Sequence, residues 1–397
     1  IIFIKVRINV KWEQRKLGEI AERILRKNSD LQSLLPLTIS AQDGLVDQTI
    51  YFNKQVASKQ LKNYLLLYNG DFAYNKSYSV GYPYGTIKRL DKYKQGVLST
   101  LYIAFKPTNI NSDFLQHYYD TDKWYREIYR NAAEGARNHG LLNISANDFF
   151  NSKLITPSDN DEQLKIAKII NLFNRLITLQ QRKLKQLKQL KKAMLQQLFV
   201  DKNCKQPILR FKNFNDNWEE RKLSDIANYR NGKAHEQYID MNGIYTVVNS
   251  KFISTNGKVK KFSNKPIELL KKGEIAFVLS DVPNGKALAK TYLIDSDNKY
   301  SLNQRIAGIT PSSDINSYFL YILMNRNRYF LKFDDGVGQT NLSKKDIEEF
   351  KENYPLFDEQ QKIANLFSKI QTLITHQQNK ITQLTTLKEY LLQKLFI

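Results

Sequence analysis

The chain has 397 residues and a mass of 46.5 kDa, with 61 Lys and Arg against 39 Asp and Glu, and 42% of its residues are hydrophobic. This length exceeds what one hydrophobic core supports, and the apolar content excludes a wholly disordered chain, so we expect at least two domains. No apolar run approaches the roughly 18 residues that a membrane-spanning helix needs. The formal charge of +22 indicates a polyanionic partner such as nucleic acid.

Cysteine and histidine are too sparse for a metal or disulfide framework. Cys204 is the single cysteine, and the four histidines are scattered along the chain. The first ten residues include Lys5 and Arg7, which is not the pattern of a secretory signal. We therefore expect no metal site and a location in the reducing cytoplasm.

Four motifs occur twice, in the same order, in the two halves of the sequence. Trp12–Ala21 (WEQRKLGEIA) returns as Trp218–Ala227 (WEERKLSDIA). The other pairs are Gly70–Tyr74 with Gly273–Phe277, Asn143–Ser145 plus Asp148 with Asn341–Ser343 plus Asp346, and Glu162–Ala167 with Glu359–Ala364. The offset falls only from 206 residues (12 to 218) to 197 residues (162 to 359), which indicates a tandem duplication.

Each copy ends in a long segment whose apolar residues alternate at spacings of four and three, the pattern of a coiled-coil seam. The predicted seam of the first helix is Ile166, Ile170, Phe173, Ile177, Gln180, Leu184, Leu187, Lys191, Met194 and Leu198. That of the second is Ile363, Phe367, Ile370, Ile374, Gln377, Ile381, Leu384, Lys388, Leu391 and Leu395. The alternative is two ordinary amphipathic helices, each packed on its own core. Asp161 and Asp358 are the predicted N-caps.

The order domain, helix, domain, helix predicts that the two helices run antiparallel, with the globular domains at their opposite ends and a pseudo-twofold axis between the copies. The predicted segments are a first domain (1–157), a first helix (158–200), a linker (201–217), a second domain (218–357) and a second helix (358–397). We predict a mixed α/β fold for the domains, from candidate strands at 64–68, 72–74, 101–105 and 292–294 and candidate helices at 113–130 and 315–331.

The sequence lacks the motifs of DNA-modifying and ATP-driven enzymes. No Pro-Pro dipeptide occurs, which excludes the Asp/Asn-Pro-Pro-aromatic loop of amino-methyltransferases, and no G-x-x-x-x-G-K-[ST] phosphate loop is present. Pro157, Asp159, Glu162 and Lys165 loosely suggest the carboxylate motif of a nuclease, but they fall at a helix start, where acids favour the helix dipole. We therefore expect no catalytic residue.

The remaining functional candidates are polar and aromatic side chains on predicted loops. Basic groups bind phosphates, whereas Asn, Gln and Arg can hydrogen-bond base edges. The first-domain candidates for DNA contact are Asn75, Lys76, Tyr78, Tyr82, Tyr84, Lys88, Arg89, Arg137 and Asn138. The second-domain candidates are Asn284, Lys286, Asn303, Gln304, Arg305, Gln339 and Thr340.

The repeated motifs, together with Pro207-Ile-Leu-Arg-Phe211 before Trp218, resemble the specificity subunit of type I restriction–modification systems along essentially the whole chain. The resemblance implies a non-catalytic subunit with two target recognition domains, each recognising one half of a split sequence in double-stranded DNA. It also implies that the helices set the spacer and dock two modification subunits, which use S-adenosylmethionine. Restriction subunits would add ATP- and Mg²⁺-dependent translocation and cleavage.

Two other classes stay open. A coiled-coil scaffold could bind an acidic partner without recognising a DNA sequence, and would need no divergent loops. A self-contained DNA methyltransferase or nuclease would need the catalytic motifs that the sequence lacks. Neighbouring genes for an adenine methyltransferase and a helicase-nuclease would discriminate between these classes.

Overall fold

The computed structural model describes residues 11–53, 61–77, 79–131, 142, 144–200 and 204–397. The chain forms two compact units, one made of Ile1–Gln181 with Asn379–Ile397 and the other of Arg182–Gln378. Each unit contains one globular domain and about half of each long helix. The sequence had instead predicted each helix as a segment separate from the domains. Among the described residues, no helix is long and apolar enough to cross a membrane.

In the part of the chain that the structure describes, the first domain contains ten strands and five short α-helices, and the long helix α6 follows them. The strands are β1 (Trp12–Lys16), β2 (Ala21–Arg23), β3 (Pro36–Ser40), β4 (Gly44–Asp47), β5 (Leu65–Tyr68), β6 (Phe72–Asn75), β7 (Thr86–Arg89), β8 (Gln95–Leu98), β9 (Ile103–Pro107) and β10 (Lys153–Pro157). The helices are α1 (Leu17–Ile20), α2 (Gln48–Phe52), α3 (Ser112–Tyr119), α4 (Tyr125–Asn131), α5 (Ala146–Phe150) and the long α6 (Asn160–Leu198).

The second domain and the long helix that follows it have the same kinds of element in nearly the same order. Its strands are β11 (Glu219–Lys222), β12 (Ala227–Asn231), β13 (Tyr245–Val248), β14 (Phe262–Ser263), β15 (Ile275–Val278), β16 (Ser280–Asp281), β17 (Thr291–Leu293), β18 (Tyr300–Leu302), β19 (Ile306–Pro311), β20 (Thr340–Asn341) and β21 (Lys351–Tyr354). Its helices are α7 (Leu223–Ile226), α8 (Ser250–Ser254), α9 (Ser317–Met324), α10 (Arg328–Leu331), α11 (Lys344–Glu348) and the long α12 (Phe357–Leu395).

The two domains share a sheet topology although their middle sequences share little. An antiparallel sheet has the order β2-β9-β6-β7 in the first domain and β12-β19-β15-β17 in the second. A second sheet has the order β4-β3-β8-β5 or β14-β13-β18, and its central pair, β3 with β8 or β13 with β18, is parallel in both. Mixed α/β domains were therefore correctly predicted.

The repeated Trp-Glu-x-Arg-Lys-Leu motif closes each domain by pairing its first strand with its last. β1 pairs antiparallel with β10, and β11 with β21. At the residue that follows β1, the Leu17 amide donates to Ser152 O (2.9 Å). At the residue that follows β11, the Leu223 amide donates to Phe350 O (2.8 Å). Both leucine side chains are buried, so the motif fixes the two ends of the domain in one core.

The repeated Gly-[Asp/Glu] motif forms a turn closed by a buried ion pair. Gly70 (φ 93°) and Gly273 (φ 88°) adopt the left-handed conformation that favours glycine. Asp71 then accepts from the Tyr68 amide and pairs with Arg26. Glu274 likewise accepts from an amide three residues earlier and pairs with Arg230 (2.6 Å), so the acid recurs because the turn needs it.

The Asn-x-Ser motif with its following Asp is a helix N-cap. Ser145 and Asp148 form a capping box at the start of α5, and Ser343 and Asp346 form the same box at α11. In each, the serine hydroxyl accepts from the aspartate amide, and the aspartate carboxylate accepts from the serine amide. This repeat therefore stabilises structure and needs no role in binding.

The two long helices each have 39 residues, and every predicted seam residue is buried or half-buried. In the first unit Ile166, near the start of α6, shares a core with Phe396, which directly follows α12. In the second unit Leu198, at the end of α6, shares a core with Ile363, near the start of α12. The helices therefore run antiparallel, as predicted.

Polar groups also lie in the helix seam. The Lys191 ammonium donates to the Gln371 side-chain oxygen (2.7 Å), and burial lowers the pKa of Lys191. Gln377 is buried. A polar contact inside an apolar seam favours the register in which its partner is present.

Several local predictions were wrong in detail. The helices predicted at 113–130 and 315–331 are each broken in two, by Asp120–Trp124 and by Asn325–Asn327. The long helices begin one residue before Asp161 and Asp358, so these acids lie in the first turn and are not the caps. The strands around Gly70 exist, but β5 and β6 belong to different sheets and do not pair with each other.

Candidate nucleic-acid interface

In the second domain, backbone hydrogen bonds bring the predicted DNA-contacting loops to one end of the main sheet. The Leu279 amide donates to Arg305 O (3.0 Å), and the Leu342 amide donates to Leu279 O (2.8 Å). Loops 282–286, 303–305 and 335–339 therefore start from adjacent backbone. We call these three loops the second loop cluster.

The second loop cluster presents several exposed polar side chains. Asn284, Lys286, Gln304, Arg305 and Gln339 are exposed, as a surface that binds a ligand requires. Arg305 has φ 66°, which reflects the tight turn between β18 and β19. This combination of amides and cations can bind both base edges and phosphates.

Four candidates in this cluster, among them the exposed Gln304 and Gln339, are engaged or buried within the protein. Gln304 donates to Glu236 (2.7 Å), and Gln339 donates to the Ser280 hydroxyl (2.7 Å). Thr340 is buried and donates to Asp334 (3.3 Å). Asn303 is half-buried, and its side-chain oxygen is buried without a hydrogen-bond partner. The sequence could not reveal these partners because most of them lie far away in the chain.

His235 stabilises the backbone beside loop 303–305. Its side chain is buried, with Nδ1 2.7 Å from Lys233 O and Nε2 2.7 Å from the Ser301 hydroxyl. A carbonyl only accepts, so Nδ1 donates to Lys233 O, while Nε2 is hydrogen-bonded to the Ser301 hydroxyl. The imidazole thus links residues 233–235 to β18.

In the first domain, the hairpin after β6 and the segment before α5 meet at their bases. The Leu142 amide donates to Lys76 O (3.0 Å), and the Lys76 ammonium donates to Ile144 O (3.3 Å). The Asn75 side-chain oxygen accepts from the Ser77 amide (3.0 Å). Three other candidates lie outside the described residues, namely Tyr78, Arg137 and Asn138.

A polar groove of about 380 Å³ lies beside this hairpin. It is lined by Gln42 of the β3–β4 turn, Tyr51 of α2, and Asn75, Ser79 and Tyr82 of the hairpin. Tyr84 instead packs against the rings of Tyr125 (5.1 Å) and Tyr129 (6.4 Å). The groove thus combines amide, hydroxyl and aromatic groups at the surface.

Lys88 and Arg89 lie on β7, and their charges are balanced by acids of the same domain. Lys88 pairs with Asp120 (3.1 Å), and Arg89 pairs with Asp91 (2.7 Å) and Asp113 (2.6 Å). Although burial raises the pKa of Asp120, the nearby His117 ring (Nδ1 3.6 Å from Oδ2) and the charge of Lys88 lower it to about 2. In this structure the two basic residues therefore stabilise the fold.

The structure also adds candidate interface residues that no pattern in the sequence indicated. They are Gln42 and Tyr51 in the first domain and Glu236, Val282 and Val337 in the second. Gln42 and Tyr51 lie more than 20 residues before the hairpin they adjoin, so no local pattern marked them. Among the described residues, no group of three or more His, Cys, Asp or Glu could hold a metal ion.

Comparison with known proteins shows what the chain is similar to. Residues 215–386 match the family described as the type I restriction modification DNA specificity domain. The specificity subunit of the type I restriction enzyme MjaVIII from Methanocaldococcus jannaschii is 23% identical over 426 residues, which cover 98% of this chain and 93% of that protein.

Two solved structures share the fold along nearly the full length. The S subunit of a type I restriction–modification system from M. genitalium has a TM-score of 0.62 at 16% identity, covering 99% of this chain and 98% of the other. A structure described as showing complex assembly and conformational transition of the type I R-M system has a TM-score of 0.55 at 16% identity, covering 97% of each chain.

This chain therefore shares its fold, tandem mixed α/β domains with two long helices, with the type I S subunit from M. genitalium. The family match covers the second copy, and the first copy repeats its motifs and its sheet topology. The predicted resemblance of this chain to the specificity subunits of type I restriction–modification systems is therefore confirmed.

Proposed function

We propose that the chain recognises a bipartite sequence in double-stranded DNA, with each domain recognising one half. The observation that carries this proposal is the contrast between conserved framework and divergent loops within one chain. The two domains share their topology, their closing strands and their capping boxes. Their candidate loops differ in length and in residue type, as two recognition surfaces for different sequences require.

The charge distribution supports DNA as the ligand. Helix α6 carries nine Lys and Arg against two Asp and Glu, and the whole chain carries +22. Exposed cations such as Lys286 and Arg305 adjoin amide side chains on the second loop cluster. Cations supply sequence-independent affinity for phosphates, and amides supply base contacts. A scaffold that binds an acidic protein would not need this combination.

We also propose that the long helices dock two modification subunits, which bind S-adenosylmethionine, and that restriction subunits carry ATP and Mg²⁺. A second apolar row on α6 supports docking. Ile169, Leu172 and Leu179 are between 41% and 54% exposed, although they lie on a helix whose seam is covered by α12. Apolar side chains at such spacing fit partner helices.

The first test concerns catalysis. We expect the purified chain to transfer no methyl group from S-adenosylmethionine and to cut no DNA, because its sequence contains no motif for either reaction. Tritium transfer from labelled S-adenosylmethionine to plasmid DNA measures this. Addition of the modification subunits is the positive control, and methyl transfer by the chain alone would refute the proposal.

A second test concerns the helices as the element that sets the spacer. Inserting four residues between Leu187 and Leu190 lengthens α6 by about 6 Å, close to two base pairs. We expect an assembled variant to methylate a motif with a longer spacer and unchanged half-sites.

The insertion also shifts the seam, so complex formation is verified first by gel filtration. The control is a four-residue insertion beside Asn213, in an exposed loop outside the helices. If an assembled α6 variant kept the original spacer, the helices would not set it.

A further inference from the structure

The tips of two loops in the second loop cluster each carry an exposed valine. Val282 lies on the loop after β16 and is 63% exposed, and Val337 lies on the loop before β20 and is 84% exposed. Isolated exposed valines are common on protein surfaces. Val282 and Val337 differ from such residues because each lies on a loop that is held in shape by aspartate side chains. These carboxylates accept hydrogen bonds from backbone amides of the same loop.

The first loop is closed by the Asp281 carboxylate. It accepts hydrogen bonds from the amides of Val282 (2.9 Å), Ala287 (2.6 Å) and Leu288 (3.0 Å). A Cβ at residue 285 would clash with this carboxylate, so Gly285 lets the backbone approach it. The loop that carries Val282 is thereby fixed at both ends.

The second loop is closed in the same way by two aspartates. Asp334 accepts from the Gly336 amide (3.1 Å), and Asp335 accepts from the amides of Val337 (2.9 Å) and Gly338 (3.3 Å). The backbone hydrogen bonds lower the pKa of Asp335. The carboxylate is therefore ionised at neutral pH and keeps both hydrogen bonds.

The two loops are also joined to each other. β16 pairs with β20 at their bases, with Asp281 opposite Thr340. Nearer the tips, the Asn284 side chain donates to Gly336 O (3.4 Å). The valines are thus presented by one pre-organised pair of loops, which lowers the entropy cost of binding.

The charges beside the valines disfavour phosphate as their contact. Asp281, Asp334 and Asp335 place three carboxylates close to the tips, and these would repel a phosphodiester backbone there, whereas Lys286, at the other end of the first loop, can bind a phosphate. Base edges in the major groove carry no such charge. Among the four bases, only thymine presents an apolar group there, its C5 methyl group. Apolar tips on loops with acidic bases are therefore suited to that methyl group.

We propose that Val282 and Val337 recognise the C5 methyl group of a thymine in the half-site bound by the second domain. This inference rests on the proposed function, since it assumes that the second loop cluster enters the major groove. It predicts that the half-site contains a thymine whose methyl group contributes to affinity.

The test uses the chain assembled with its modification subunits and short duplexes that contain the motif found by methylome sequencing. Each thymine of the motif is replaced singly by uracil, which removes only the methyl group. We expect one position in the second half-site to lose about fourfold in affinity, the equivalent of about 0.8 kcal/mol for one buried methyl group.

A double variant, V282A/V337A, should bind the thymine and uracil duplexes equally. Val80 supplies the matched control: it is 92% exposed in the first domain, and V80A should leave the uracil effect in the second half-site unchanged.

The inference is overturned by a second half-site without thymine, by uracil substitutions that have no effect, or by a uracil effect that persists in V282A/V337A. A different result would overturn the proposed function itself. That result is a complex that binds the motif no better than a scrambled duplex of the same length.

Discussion

Replacing Glu359 by glutamine is expected to destabilise the second unit by about 3 kcal/mol. Glu359 is 1% exposed and accepts two hydrogen bonds from Arg210, at 2.9 Å and 2.8 Å. Glutamine keeps the size but removes the charge, which leaves the Arg210 guanidinium largely buried without a counter-ion. This pair holds the linker that precedes the second domain against the start of α12.

The equivalent change in the first copy provides a matched control. Glu162 is 4% exposed, yet its Oε2 has no hydrogen-bond partner, and burial raises the pKa of Glu162. A raised pKa in the folded state means that the ionised carboxylate costs stability, and this cost appears as the pH rises through that pKa. E162Q is therefore expected to leave stability unchanged or to raise it slightly at neutral pH.

Hydrogen exchange can separate the two effects, because each unit has an equivalent amide in its closing motif. The Leu223 amide reports on the second unit and the Leu17 amide on the first, since both donate to the segment before the last strand. E359Q should accelerate exchange at Leu223 and leave Leu17 unchanged. Equal acceleration by E162Q and E359Q at their own amides would contradict the assigned roles.

Exchanging residues 218–355 for the corresponding domain of a relative is expected to change one half of the methylated motif completely and to leave the other half and the spacer intact. The domain is closed by its own strand pair, β11 with β21, which the exchange carries over whole. Its attachment to α12 combines a shared apolar core with contacts to backbone groups. In the latter, Gln360 accepts from the Asn316 amide (2.9 Å) and donates to Pro355 O (2.9 Å). Backbone contacts tolerate a changed sequence.

The reciprocal exchange of residues 12–157 is the control for this prediction. Gln163 makes the same contacts there, with the Asn111 amide (2.9 Å) and Pro157 O (2.9 Å). It should change the other half of the motif alone. If either exchange altered both halves in an assembled complex, the domains would not recognise DNA independently.

The sequence predicted the features that depend on periodicity and repetition. The long helices were placed within two residues of their observed bounds, because a seam repeated over many turns leaves little choice of period. The duplication also revealed the paired motifs before their roles were known. Gln163 and Gln360, for example, recur because each joins a helix start to its domain.

The candidate interface was less predictable because its geometry depends on contacts between distant segments. Lys88 and Arg89 had the composition of a phosphate-binding pair, but acids 2 to 32 residues away balance their charges. Gln42 and Tyr51 reach the hairpin groove only because β3 and β4 lie in the neighbouring sheet. Side-chain type therefore indicated DNA binding, while the fold determined which side chains remain exposed.

Methylome sequencing of a host that expresses this chain with its modification subunits tests the central claim most directly. The account predicts one methylated motif made of two specified half-sites separated by unspecified base pairs, and the loss of that motif when the chain is deleted. Methylation that persists without the chain, or a single uninterrupted motif, would contradict recognition of a bipartite site by two separate domains.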